Sequence, residues 1–151
     1  MKMTGAQTQM LKGIITNRNH PELQGTFKQG NFWIVTDGFS CFYFSKKPNL
    51  PNCQGVDKDL LQYLDILVSA VPDIDFMVGV KNISNENKRR PFPYELDKDV
   101  NLFVNPYYML RIMKILPGAM RMFYSTRVKP VVFVGDDDNY ALLNPLRYDG
   151  N

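Results

Sequence analysis

The chain has few of the residues on which metal and nucleophile chemistry depends. It contains two cysteines and one histidine among 151 residues. Cys41 and Cys53 lack C-x-x-C spacing, so a zinc site would have too few soft ligands, and buried free thiols are the expected state. His20 precedes a proline and has no serine, cysteine or acidic partner in a motif. The sequence therefore predicts no metal, no cofactor and no enzymatic activity.

Glycine-rich phosphate loops and long apolar runs are also missing. None of the ten glycines forms G-x-G-x-x-G or G-x-x-x-x-G-K-[ST]. No apolar run reaches the roughly eighteen residues of a membrane span, and residues 1–16 contain no secretory run. A cytoplasmic protein without membrane association is therefore expected. The 44% of hydrophobic residues predicts one domain over residues 1–151 with a sizeable core.

Charge is distributed unevenly along the chain. The formal net charge is +3, yet residues 1–56 and 101–151 are basic on balance, whereas residues 57–100 are acidic. Such a chain can present one basic face to nucleic acid while its acidic part points elsewhere. This distribution permits nucleic-acid binding without requiring it.

The first third of the chain predicts a helix followed by three strands. Thr4 and Gln7 have the spacing of a capping box, and the apolar residues after them recur on one helical face up to about Thr16: Met10, Leu11, Ile14 and Ile15. Residues 23–45 then alternate apolar and polar side chains, with turn residues at 29–31 and 37–38. The aromatic residues of this stretch, Trp33, Phe42 and Phe44, are expected in the core.

The middle of the chain predicts a loop, a helix and a strand. Residues 47–55 contain two prolines and a glycine, and Asp57 can cap a second helix with apolar residues up to Val71 and an acidic outer face. A strand is expected over residues 76–80. Residues 82–93 form a polar loop whose basic triplet, residues 88–90, is interpreted as solvated surface.

The last third repeats the pattern of one helix and three strands. After a strand over residues 101–104, Asn105 caps a third helix that starts at Pro106, ends before Pro117, and has four core residues: Met109, Leu110, Met113 and Leu116. Three strands should follow over residues 120–125, 130–134 and 140–147, with a hairpin turn at 135–139. This order is typical of an α+β domain with helices on one face of an antiparallel sheet, built from two similar halves.

Three local motifs resemble a single domain of the bacterial DNA sliding clamps, typified by the DNA polymerase III beta subunit, and most of all its last domain. They are Trp33-Ile34-Val35-Thr36-Asp37-Gly38, the strand-to-helix run Val104-Asn105-Pro106-Tyr107-Tyr108-Met109-Leu110, and the terminal Tyr140-Ala141-Leu142-Leu143-Asn144-Pro145-Leu146-Arg147. The resemblance implies a clamp-like fold with two helices packed on antiparallel sheet. Residues 47–95, with the second helix, have no counterpart in the clamp pattern and are interpreted as an insertion. Asn144 stands where the family usually has methionine.

The resemblance implies association with duplex DNA through its phosphate backbone. In a clamp, basic helix faces surround the duplex and attract phosphates without reading sequence. The corresponding positions here are Lys12, Arg18, Arg111 and Lys114. The same pattern also fits basic residues that merely solvate a helix and favour its C-terminal dipole.

The resemblance also implies docking of replication proteins through short linear motifs. Its groove beside the terminal strand corresponds to Leu143, Asn144, Pro145 and Leu146. Strand alternation alone predicts apolar residues at the same place. A chain of one domain's length would need self-association to form a ring. The alternative is a clamp-fold interaction module, of a mobile element or a phage, that binds a protein partner and not DNA.

Overall fold

Two α-helices, one short 3-10 helix (Pro21–Leu23) and nine strands are present in the part of the chain that the structure, a computed structural model, describes. This part comprises residues 3–16, 21–56, 79–83, 90–116 and 120–147, with the backbone alone for 79–83 and Met120. The α-helices are α1 (Gly5–Ile14) and α2 (Pro106–Ile115). The strands are β1 (Phe27–Gln29), β2 (Phe32–Thr36), β3 (Ser40–Phe44), β4 (Gly79–Ile83), β5 (Tyr94–Asp97), β6 (Leu102–Val104), β7 (Met120–Tyr124), β8 (Val131–Val134) and β9 (Tyr140–Leu143).

Helix α1 begins at the predicted capping box. The Thr4 side chain accepts a hydrogen bond from the Gln7 backbone N–H, and the Gln7 side chain accepts one from the Thr4 backbone N–H. Two otherwise unpaired amides at the helix start are thereby satisfied. Leu11 and Ile14 are buried, and the helix ends with Ile15 as its C-cap, slightly before the predicted end.

Helix α2 is the predicted third helix, and its start is confirmed. The Asn105 side chain accepts a hydrogen bond from Tyr107 N at 3.0 Å, and Pro106 occupies the first turn, where a missing N–H costs nothing. The predicted core face is partly wrong, because Leu110 is only half-buried. The buried helix residues are Pro106, Met109, Ile112, Met113 and Ile115.

Seven antiparallel strands form one sheet in the order β1-β2-β3-β9-β8-β7-β4. The two predicted three-stranded units, β1 to β3 and β7 to β9, meet where β3 pairs with β9, with Phe42 opposite Ala141. Helices α1 and α2 contact each other, α1 also contacts β2, and α2 contacts β9. The prediction of two helix-and-strand halves joined in one continuous sheet, with their helices side by side, is confirmed.

Apolar side chains are buried on both faces of the sheet. A cluster between helices and sheet includes Phe42, Phe44, Phe133 and Ile112. The opposite face carries a second cluster: Leu23, Ile34, Cys41, Tyr43, Phe123, Val132 and Leu142. Since successive side chains of a strand point to opposite faces, all five residues of β3 are buried. The core prediction holds for Phe42 and Phe44, whereas Trp33 is only partly buried.

A small hairpin and the end of the chain differ from the predictions. Strands β5 and β6 form a separate two-stranded sheet, of which only β6 was expected. Strand β9 ends at Leu143, so the predicted strand over 140–147 is too long. Residues 144–147, here called the terminal segment, leave the sheet, and Leu146 N donates to Phe103 O at 2.8 Å. The terminal segment therefore connects the main sheet to the hairpin.

Several predictions fall on residues outside the described part of the chain. They are the second helix from Asp57, most of the strand over 76–80, the helix stop at Pro117-Gly118, and Lys88, Arg89, Arg18 and His20. Strand β4 extends to Ile83 and pairs with β7, so residues 82–83 of the predicted loop are strand. No helix in the described part of the chain is long and apolar enough to cross a membrane.

Candidate functional site

A stacked aromatic pair, of which Phe39 is exposed and Tyr108 half-buried, lies beside the terminal segment. Phe39 and Tyr108 stack with ring centroids 5.7 Å apart and an interplanar angle of 9°, and 54% of Phe39 is exposed. Asn144 N donates to Phe39 O at 3.1 Å. We call Phe39, Tyr108 and Asn144 the aromatic patch. A large exposed aromatic side chain held in a fixed geometry is a typical anchor point for a binding partner.

The tight turn between β2 and β3 places Phe39 outside the core. Asp37 Oδ1 accepts hydrogen bonds from Phe39 N and Ser40 N, both at 2.9 Å, and Gly38 adopts a positive φ of 89°. The turn chemistry predicted for Asp37 and Gly38 is therefore confirmed. Phe39 itself was missed, although an apolar residue directly after an Asp-Gly turn was a usable signal, since the tip of a hairpin is seldom buried.

Arg111 links the helix to that turn. Its Nη2 donates to Asp37 Oδ2 at 2.5 Å and to Ser40 Oγ at 2.9 Å, and only 13% of the arginine and 12% of the aspartate side chain are exposed. The guanidinium carbon lies 4.9 Å from the Tyr108 ring centroid. A charge compensated this closely attracts phosphate less than an exposed one. The structure thus places Arg111 in a largely buried ion pair, which its sequence position did not indicate.

The Tyr108 hydroxyl is uncharged at neutral pH, because its pKa is raised above the ordinary tyrosine value. Burial raises the pKa of its hydroxyl, and the nearby Asp37 carboxylate raises it further, while Arg111 acts in the opposite direction. Both leading causes disfavour the phenolate. The patch therefore offers a neutral ring that can stack, beside a guanidinium whose charge is already balanced.

Lys12 and Lys114 are exposed on adjacent helices, whereas Arg18 lies outside the described residues. Helix α1 holds Lys12 in its last turn, and α2 holds Lys114 in its last turn. Gln7 Nε2 also donates to Lys114 O at 3.4 Å, which ties the two helices together. Neither helix contains an acidic residue. The face formed by both helices therefore carries positive charge only.

A groove of about 320 Å³ runs between the two helices. Its lining residues are Met10, Gly13, Tyr107, Leu110, Arg111 and Lys114. We call it the interhelical groove. The ring of Tyr107 is 65% exposed and lies 5.8 Å from the Arg111 guanidinium carbon. The groove was not foreseen, because helical periodicity assigned Met10 and Leu110 to the core.

The four residues expected to bind protein motifs differ in accessibility. Leu143 is buried in the cluster under the helices, with 1% exposure, and cannot act as an exposed anchor. Asn144, Pro145 and Leu146 are half-buried along the terminal segment. The segment touches the aromatic patch through Asn144 and the small hairpin through Leu146. The exposed apolar side chain of this region is thus Phe39, joined to the terminal segment through Asn144, whereas Leu143 is buried.

The two cysteines are uncharged thiols, and the acidic residues 136–138 lie in a hydrogen-bonded turn. Cys41 is a buried free thiol, as predicted, whereas Cys53 is free but only half-buried. Burial raises the pKa of Cys41 strongly and that of Cys53 to about 11, so both stay protonated near neutral pH. Residues 135–139 form the predicted turn, in which Gly135 N donates to Asn139 O at 3.0 Å. Among the described residues no group of three or more His, Cys, Asp and Glu could hold a metal ion.

The fold is similar to that of bacterial beta sliding clamps. The Helicobacter pylori beta clamp in complex with diflunisal superposes with a TM-score of 0.59 at 12% identity, covering 94% of this chain and 63% of the clamp chain. The H. pylori clamp bound to a DNA ligase peptide gives 0.53 at 11% identity, covering 93% and 62%. The Bacillus subtilis DNA polymerase sliding clamp gives 0.50 at 14% identity, covering 97% and 63%.

These similarities are structural. No protein-family model and no curated protein matches the sequence. The chain spans less than two thirds of the length of the H. pylori clamp chains that it matches. Identities of 11–14% establish the fold alone. Over 94% of its length, this chain is folded like part of a bacterial DNA sliding clamp.

Proposed function

We propose that this chain is a clamp-like docking protein that binds short linear peptide motifs of replication proteins on the aromatic patch. The observation that carries the proposal is the exposed Phe39 ring, which stacks on the half-buried Tyr108 and is joined to the terminal segment by the Asn144 N–H to Phe39 O hydrogen bond. Apolar anchors of a peptide gain most of their binding energy from such exposed, rigid aromatic surfaces. Pro145 and Leu146, the next residues of the terminal segment, are half-buried.

The fold similarity supports this assignment. A clamp with the same fold has been solved with a DNA ligase peptide bound. In this chain the patch also has little need to reorganise on binding. The Arg111–Asp37 ion pair and two backbone hydrogen bonds to Asp37 hold the turn that carries Phe39. A preorganised surface keeps more of its interaction energy as affinity.

A peptide titration tests the docking proposal. One probe is the fluorescently labelled DNA ligase peptide that is bound in the H. pylori clamp structure. The other is an array of short peptides with paired leucine or phenylalanine anchors. Phe39→Ala should weaken binding at least tenfold, an effect of the size expected for a central aromatic anchor. Phe92→Ala is the matched control, because Phe92 is 67% exposed but lies outside the patch. Equal affinities of wild type and Phe39→Ala would refute the assignment.

A second candidate function is sequence-independent association with duplex DNA through the face formed by α1 and α2. It is favoured by the exposed Lys12 and Lys114 on two adjacent helices without acidic residues. Arg111 adds little, because Asp37 compensates its charge. Two phosphate contacts per copy give a slope of log K against log salt of about −2, so useful affinity requires several copies. Self-association is therefore part of this proposal.

Solution mass and salt dependence distinguish the DNA-binding form from an interaction module that ignores DNA. Lys12→Gln and Lys114→Gln should each reduce the salt slope by about 1 per copy. Lys28→Gln serves as a control, because Lys28 is an exposed lysine on β1 and belongs to neither helix. A monomer without salt-dependent affinity for linear or circular duplex would leave peptide docking as the sole function.

A further inference from the structure

The interhelical groove contains side chains that electrostatic attraction to the phosphates of duplex DNA does not require. Phosphates on a rigid duplex need exposed positive charge, which Lys12 and Lys114 supply. The groove adds the apolar side chains of Met10 and Leu110 and the 65% exposed ring of Tyr107. Its wall at Gly13 is open, since a Cβ at that position would meet nothing within 4 Å. Contacts between lysines and phosphates therefore give no role to the aromatic and apolar side chains of the groove.

Tyr107 is oriented by its neighbours although its ring is exposed. The Arg111 guanidinium carbon lies 5.8 Å from the Tyr107 ring centroid, and Asp37 holds that guanidinium in place. The Tyr107 and Tyr108 rings meet edge to face, with centroids 5.6 Å apart and an angle of 68°. One face of Tyr107 is thus supported while most of its surface stays accessible. An aromatic ring with this support can accept a second planar group by stacking.

The charges around Tyr107 determine which kind of planar ligand can stack on its ring. Lys114 lines the groove together with Arg111, whose charge Asp37 compensates. Neither helix contributes an acidic side chain, and the Asp37 carboxylate is occupied by Arg111. The groove therefore favours a ligand that combines negative charge with flat aromatic surface. Unpaired nucleotides have both properties, whereas a duplex keeps its base faces stacked inside.

We propose that the interhelical groove binds single-stranded nucleic acid, with a base stacked on Tyr107 and an adjacent phosphate near Lys114. This inference rests on the proposed DNA contact of the helical face and specifies which form of nucleic acid that face prefers. Aromatic stacking beside a cationic track is the general means by which proteins hold unpaired strands without reading their sequence. Peptide docking on the aromatic patch does not depend on it.

Fluorescence anisotropy with the full chain tests the inference on three labelled probes of equal length: oligothymidylate, the same backbone with abasic sites, and a duplex. Wild type should bind oligothymidylate tighter than the abasic strand. Tyr107→Ala should lose about tenfold in affinity for oligothymidylate, the effect of removing one stacked base, and little for the other two probes. Tyr107→Phe should keep the affinity, since its ring still stacks. Phe92→Ala, which removes an exposed ring elsewhere, should change nothing.

The outcomes separate this inference from the proposed function. Equal binding of the oligothymidylate and abasic strands, or a Tyr107→Ala loss that is the same on all three probes, would overturn base stacking while leaving phosphate attraction intact. Binding of peptide but of no nucleic acid would remove the DNA-binding role and this inference together. Loss of peptide binding in Tyr107→Ala would assign the groove to the peptide site instead. An unchanged melting temperature of the variant confirms that it is folded.

Discussion

The two halves of the molecule share an architecture and differ in the chemistry of their helix starts. Helix α1 opens with the small residues Gly5 and Ala6, and α2 opens with Pro106 followed by two tyrosines. Both helices pack on the same sheet, and buried residues of both halves form one cluster. The exposed aromatic residues of α2 have no equivalent in α1. The buried residues that form the two halves are therefore distinct from the aromatic residues of the proposed binding surfaces.

The candidate site nevertheless belongs to both halves. Asp37 and Phe39 come from the turn of the first half, whereas Tyr108 and Arg111 come from the helix of the second. The pairing of β3 with β9 brings these residues together. The second half therefore supplies the helix side of the site, and the first half supplies the turn that supports it.

The largest expected effect comes from truncating one core phenylalanine in either half. Phe42 in the first half and Phe133 in the second are both fully buried under the helices. Phe42→Ala and Phe133→Ala should each lower the free energy of unfolding by about 3–5 kcal/mol, because each leaves a cavity. Urea denaturation should show one shared transition. Two transitions with separate sensitivities would mean that the halves fold independently, and the exposed Phe92→Ala serves as control.

A smaller effect is expected from breaking the ion pair between the halves. Asp37→Asn or Arg111→Gln alone should cost about 2–3 kcal/mol of unfolding free energy, because each leaves a largely buried partner unpaired. The double variant should cost less than the sum of the two. The measurement is a double-mutant cycle by urea denaturation, in which strictly additive costs would show that the pair does not couple the halves.

The link between the main sheet and the small hairpin should respond to pH. Tyr124 O–H donates to Asp97 Oδ2 at 2.5 Å, and this bond, together with burial, raises the pKa of Tyr124 to about 12. A raised tyrosine pKa stabilises the fold below the unfolded-state value of about 10, and that stability is lost as pH rises through the folded-state value. Tyr124→Phe should cost about 1.5 kcal/mol at neutral pH and less above pH 12.

Tyr140→Phe is the matched control for this prediction. Burial raises the pKa of Tyr140 to about 12 as well, but its buried hydroxyl has no hydrogen-bond partner in the described part of the chain. Removal of this hydroxyl in Tyr140→Phe should leave the free energy of unfolding unchanged at neutral pH. It should still reduce the stability that the protein loses at alkaline pH. Chemical denaturation from neutral pH to pH 12 measures both variants. An equal neutral-pH cost for the two would argue against the Tyr124–Asp97 hydrogen bond.

The smallest expected effect compares two glycines of the first half. Gly13→Ala should raise the free energy of unfolding by about 0.5 kcal/mol, because the new methyl group meets nothing and the unfolded chain loses freedom. Gly25→Ala should instead destabilise, since its Cβ would overlap the Pro51 carbonyl oxygen. Thermal melts of both variants measure the contrast. Destabilisation by Gly13→Ala would mean that the groove is closed at that point.

Local interactions explain which elements could be predicted from sequence. The capping box at Thr4, the cap at Asn105 and the turn at Asp37 depend on neighbours within a few residues, and each is present as expected. The end of β9 was placed too late, because the backbone of Leu146 pairs with Phe103 of the hairpin instead of continuing in the sheet. Such a partner has no local signal in the sequence.

The sequence by itself determined the two helices and the three-stranded units, because hydrophobic periodicity and caps act over short distances. Only the tertiary structure decided the role of Arg111, whose partner Asp37 is 74 residues away and reaches it through the β3–β9 pairing. It also decided that Leu143 is buried while Phe39 is exposed. Side-chain accessibility depends on what packs against each position, and helical or strand spacing does not contain that information.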